Sequence, residues 1–140
     1  MDRLENRYAD FLDFLENGQK EYTKAIEIID SLTILDPACG SGAFIQAAAK
    51  ELFRLKCRLL RKMGHAIINF ELKKQLIENN LFGVDLLDEP LEITKIWLWL
   101  WVLEIRSKYA KEQVLPKMVH FQKGNSLIAV SYTHLRAHET

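Results

Sequence analysis

Leu4, Tyr8, Phe11, Leu12 and Leu15 recur at a helical period with charged residues between them, which predicts a helix over residues 2–16. Asn17-Gly18 is expected to stop it. Tyr22, Ala25, Ile26 and Ile29 fall on one face of a second helix over 21–30. The pattern then changes. Leu32-Thr33-Ile34-Leu35 is a short apolar run with β-branched members, closed by Asp36-Pro37, and reads as a buried parallel strand.

Helical spacing returns over 43–63, where Ile45, Ala48, Leu52, Leu55 and Leu59 are expected to face inward. Lys50, Arg54, Lys56, Arg58, Arg61 and Lys62 are assigned to the outer face, and Gly64 to the C-terminal stop. Asn69 is a candidate cap for a helix to about residue 78. Leu81-Phe82-Gly83-Val84 reads as a second strand ended by Asp85. Asp88, Glu89 and Pro90 combine a cap, a first-turn acid and an early proline, and start a helix to about residue 109. Pro116 breaks the chain, Met118 to Phe121 is a third strand, and Gly124-Asn125-Ser126 turns away from it. Strands alternating with helices predict an α/β fold built on a doubly wound parallel sheet that is about half complete.

Composition adds limits. The chain has 140 residues, enough for one modest domain with a real core. Its 19 basic and 19 acidic residues cancel, so it lacks the basic excess of a self-sufficient nucleic-acid binder. Cys39 and Cys57 have no metal-type spacing and are expected to be free thiols in a reducing cytoplasm. The most apolar run, Ile96 to Leu103, is far shorter than the roughly 20 residues of a bilayer span, so no membrane association is expected.

The chemistry concentrates in Leu35-Asp36-Pro37-Ala38-Cys39-Gly40-Ser41-Gly42-Ala43-Phe44. A strand, an acid, a turn of small residues and a helix place a ligand at the strand's carboxyl end. Gly40 and Gly42 are read as letting the backbone approach that ligand without a Cβ in the way. Asp36 puts a negative charge where a cationic ligand would sit. A dinucleotide brings a pyrophosphate, which favours backbone donors and no adjacent carboxylate. S-adenosylmethionine brings an ammonium and a sulfonium, which an aspartate favours. The dinucleotide fingerprint also requires a third glycine three residues after the second, where this chain has Ile45. Both points disfavour an oxidoreductase. Asp85, at the same edge of the sheet, has the chemistry to accept hydrogen bonds from a ribose.

Asp36 to Phe44 resembles the first motif of the N6-adenine DNA methyltransferases of restriction–modification systems, closest to type II enzymes that fuse methylase and nuclease. Leu81 to Asp85 resembles their second motif, Glu92 to Leu100 the helix after it, and Gly124-Asn125-Ser126-Leu127-Ile128 the third. The resemblance implies a partial Rossmann-like S-adenosylmethionine-dependent methyltransferase fold. It implies that Asp36, Pro37, Ala38, Cys39, Gly40 and Gly42 surround the methionine part of the cofactor, with Phe44 supporting the turn from the helix. Asp85 would hold the ribose and Leu86 touch the adenine ring, with Asn125 and Ser126 near the adenine edge. The partner would be double-stranded DNA, held through regions mostly outside this chain, with a fused nuclease and a target-recognition domain as further parts of the full-length protein.

The chain departs from that pattern in two places. No aromatic motif like Phe-Tyr-Thr-Pro precedes Leu32, and the Asn-Pro-Pro-Tyr motif that holds the flipped adenine is absent, so no catalytic residue is assigned. Residues 131–140 resemble a translated sequencing adapter and are read as a non-native tail, which makes the metal-like spacing of His134 and His138 an artefact. The division expected is a helical segment at 1–31, a cut-short methyltransferase region at 32–130, and the tail. No metal is expected. Trp97, Trp99 and Trp101 are read as core packing in preference to base stacking, with Trp97 and Trp101 sharing a face with Ile93 and Leu100. The basic run on the 43–63 helix is read as solvated surface in preference to DNA contact. Two other classes remain open: a methyltransferase acting on RNA or a protein amide, and a non-catalytic module that has kept the fold.

Overall fold

A computed structural model describes residues 2–103 and 114–127. The tail with His134 and His138, Ile128 of the third motif, and the helix expected over 104–109 lie outside the described residues. Helix α1 (Asp2–Ser31) is followed by β1 (Ile34–Asp36), α2 (Ala43–Lys62), α3 (Asn69–Asn79), β2 (Leu81–Asp85), α4 (Asp88–Val102) and β3 (Phe121–Lys123).

The first two expected helices are one. Gly18 has no positive φ, and a Cβ there would meet only the Tyr22 ring, at 3.9 Å. Asn17 donates to the Asp13 carboxylate one turn back at 3.1 Å. A turn dipeptide is therefore carried inside a helix whose later half is anchored. Ile29 is buried, and Asp30 pairs with the buried Lys56 of α2. Lys56 thus belongs to the inner stripe Ile45, Ala49, Leu52 and Lys56, not to the outer face. Gly64, at φ +74°, ends α2 as expected.

The three strands are parallel in the order β1-β2-β3, with Ile34 opposite Leu81 and Gly83 opposite Phe121. Strands that step one way through a sheet by right-handed crossovers place their connecting helices on one face. On that face Leu81 and Phe121 are buried with Leu76, Ile77, Leu91, Leu98 and Val102. Each such side chain contributes about 1.5–3 kcal/mol on burial. On the other face Leu35 is 59% exposed, so the expectation of a buried first strand holds on one side only. There Phe82 stacks on His120 at 4.1 Å. The α/β class and the parallel sheet agree with the pattern of the sequence.

Three boundaries differ from expectation. β1 starts two residues late, at Ile34, and β3 begins at Phe121, because the Phe121 amide donates to the Met118 carbonyl and turns the chain just before it. α4 is not capped by Asp88. Its cap position is Leu87, while the Asp88 carboxylate pairs with Lys123 at 2.6 Å. α4 ends at Val102, with Leu103 extended. Asn69 likewise opens α3 as its first helical residue, behind Ile68.

Asn80 fixes the join between α1 and the sheet. Its side-chain nitrogen donates to Ile29 O at 2.8 Å and Leu32 O at 2.7 Å, and its own carbonyl accepts from Ile34 N at 2.7 Å. A buried amide is tolerated when it is hydrogen-bonded in this way. The consequence is a fixed entry to β1, and hence a fixed position for Asp36.

Candidate functional site

The turn after β1 is held from two sides. Cys39 N donates to Val84 O at 2.9 Å and Gly40 N to Asp85 Oδ2 at 2.8 Å, so β2 grips the turn. Gly42 N closes it onto Cys39 O at 2.8 Å. The two glycines have different reasons to be there. Gly40, at φ +52°, faces open space where a Cβ would project. Gly42, at φ +87°, is buried, and a Cβ would lie 2.6 Å from Thr94 Oγ1. The expectation that both glycines admit a ligand is corrected at Gly42. It admits a helix.

Asp36 Oδ1 accepts from Ala38 N at 3.1 Å, while Oδ2 is buried with no hydrogen-bond partner. Asp85 Oδ1 accepts from Leu87 N at 3.0 Å. Backbone donors at Leu87 and then Gly40 hold the Asp85 carboxyl below its ordinary range, so it is ionised at neutral pH. Burial, followed by the charges of Asp36 and Asp85, pushes the Cys39 thiol up. Cys39 is therefore a protonated, buried spacer packed towards Gly83.

A cleft of about 340 Å³ opens beside the turn, lined by Pro37, Ala38, Asp85, Leu86, Gly124, Asn125, Ser126 and Leu127. The structure thus brings together Pro37, Ala38, Asp85, Leu86, Asn125 and Ser126 from three separate stretches of chain. Asp36, Cys39, Gly40 and Gly42 form the turn behind the cleft and do not line it. Phe44 is 80% exposed and does not brace the turn, contrary to expectation, because its place in the first turn of α2 points away from the core. Asn125 Oδ1 accepts from Leu127 N at 3.1 Å, which directs its Nδ2 outward as a donor. Gly124 and Leu127 were not among the expected residues, although they adjoin Asn125 and Ser126. Thr94 was also missed; its signal is one hydroxyl in an otherwise apolar helical stripe of Leu91, Leu98 and Val102.

The remaining surface is ordinary. Trp97 stacks on Trp101 at 6.0 Å and Phe53 meets Trp101 edge-on at 5.8 Å. Both indoles flank the core, as packing predicts, whereas Ile93 and Leu100 are exposed and do not share their face. Trp99 donates to Pro116 O at 3.1 Å. On α2, Lys50 lies over Trp97, Arg54 pairs with Glu51, and Lys62 lies over Tyr22. Most of the basic run is therefore engaged within the chain. Among the described residues no cluster could hold a metal ion, and no helix is long and apolar enough to cross a membrane.

A parallel sheet with a glycine turn after its first strand and an acid ending the second defines a Rossmann-like methyltransferase fold. The solved structure of the Type IIL restriction-modification enzyme MmeI in complex with DNA shares that fold, with a TM-score of 0.56 and 23% identity over 89% of this chain and 19% of that one. The chain belongs to the family "MmeI, DNA-methyltransferase domain", whose model matches residues 12–139. Over 107 residues it is 36% identical to "Putative type II restriction enzyme and methyltransferase RM.MjaORFECS2P" of Methanocaldococcus jannaschii. Over 103 residues it is 24% identical to "DNA methyltransferase A" of Bacillus subtilis strain 168. These matches cover 74% and 71% of this chain, but only 9% and 11% of the relatives' own length.

Proposed function

We propose that this chain supplies the S-adenosylmethionine-binding part of a DNA methyltransferase of a restriction–modification system, acting on the N6 amino group of adenine. The observation that carries the reading is Asp36 Oδ2, a buried carboxylate oxygen without a partner beside a turn free of large side chains. A buried acceptor of this kind is matched by a cationic donor and not by a phosphate. The residues fit the cofactor. Asp36 and the open side of Gly40 suit its charged methionine part, Asp85 its ribose, and Leu86 with Asn125 its adenine.

The bound cofactor supplies an electrophilic methyl group on a sulfonium. The chain's own residues hold and orient it: Asp36 by charge, Asp85 by its ionised carboxylate, and Asn125 by a side-chain donor aimed at a ring acceptor. The family and the named relatives support DNA as substrate, as does the solution of the MmeI structure with DNA. A base in a duplex must leave the stack to reach such a site. The sequence contains no Asn-Pro-Pro-Tyr stretch to hold the target amino group. On this reading the 140 residues bind cofactor without transferring methyl groups.

Asp85→Ala tests the ribose assignment. Calorimetry should show S-adenosylmethionine binding weakened about tenfold or more, the loss expected for a charge-assisted contact. Binding of an analogue lacking both ribose hydroxyls should change little. Equal losses for the two ligands would remove Asp85 from the ribose.

A further inference from the structure

Thr94 lies in the middle of α4, fully buried, where every other buried residue of the helix is apolar. Valine has the same shape and would fill the space equally well. A buried hydroxyl without a partner costs about 1–3 kcal/mol, so its presence calls for an acceptor. Two lie within reach: Gly40 O at 3.0 Å and Pro90 O at 3.2 Å. Pro90 O is the acceptor that the helix already assigns to the amide four residues on. Gly40 O has no such donor in the turn, and the hydroxyl proton is directed to it.

The same side chain makes a second contact. Its Oγ1 and Cγ2 stand 2.6 Å and 2.7 Å from where a Cβ on residue 42 would be, so it occupies the space that Gly42 leaves. Gly40 is thereby held through both of its peptide groups. Asp85 takes its N–H at 2.8 Å and Thr94 donates to its carbonyl. With φ at +52° and nothing packed beside it, Gly40 has little else to fix it.

We propose that Thr94 is a positioning residue for the cofactor turn, its hydroxyl setting the direction of the Gly40–Ser41 peptide against Asp85 and so shaping the surface that meets S-adenosylmethionine. The proposal rests on the cofactor reading above and adds a residue on α4, outside the cleft, on which cofactor affinity depends.

The test compares Thr94→Val and Thr94→Ser in the 140-residue chain, by amide NMR during titration with S-adenosylmethionine. The valine variant should fold, move the Gly40, Ser41 and Gly42 amide resonances, and bind about tenfold more weakly. The serine variant, which keeps the hydroxyl, should return both readings to within about twofold of the parent. Unmoved turn resonances in the valine variant, affinity equal to the parent, or a serine variant as weak as valine would each overturn the proposal. So would a valine variant that loses its fold, since that role is structural. If the parent chain gives no response to S-adenosylmethionine, the cofactor reading fails, and the turn resonances of the two free variants alone decide the role of Thr94.

Discussion

Asp85 does two jobs with one carboxylate. One oxygen holds Gly40 and the other holds Leu87, so the acid joins the glycine turn to the loop that starts α4. Because its pKa in the folded chain lies below the ordinary carboxylate value near 3.9, the stability it contributes is fully present above that value and is lost as pH falls through the depressed one. Amide exchange at Gly40 and Leu87 should therefore stay slow down to about pH 4 and accelerate below it. Asp85→Asn should remove the step, and an unchanged acid limb in that variant would place the titration elsewhere. Much of this site was legible as residue types: an acid, small turn residues and a second acid at the matching strand end. What was not legible is direction. Nothing in the spacing of Gly42 says that its missing Cβ faces Thr94 and not a ligand, and nothing near Phe44 says that its ring is exposed.

Elements were most readable where the period ran long. α2 and α3 fall within a residue or so of their expected ends, because Gly64 and the apolar stripe mark them from both sides. The three-residue strand β3 shows no period of its own, and only the turn bond from Phe121 to Met118 places its start. Helix α1 was misread at Asn17-Gly18, since turn propensity is a local term that anchoring at Ile29 and Asp30 outweighs. Glycine costs about 0.5–1 kcal/mol against alanine inside a helix. Gly18 has helix-compatible backbone and room for a Cβ, so Gly18→Ala should raise stability by about that amount in a urea melt. A loss of stability would mean the chain does break there.

At the scale of the molecule, three strands stepping one way with helices on one face leave Leu35 and Phe82 on the opposite side, and the connection order explains that asymmetry without further assumption. The sequence predicted the sheet and its parallel sense through strand–helix alternation; it did not predict that the basic residues of α2 would be engaged within the chain by Glu51, Asp30, Trp97 and Tyr22. With a net charge of zero, the chain's affinity is expected to be for a small cation before it is for a polyanion. That places the weight on Asp36. Calorimetric titration of the chain and of Asp36→Asn, each with S-adenosylmethionine and with a nicotinamide dinucleotide, tests the claim most directly. The account predicts that the parent takes up the sulfonium compound, that the asparagine variant binds it about tenfold more weakly, and that neither responds to the dinucleotide. Uptake of the dinucleotide by the parent, with no heat from the sulfonium compound, would contradict it.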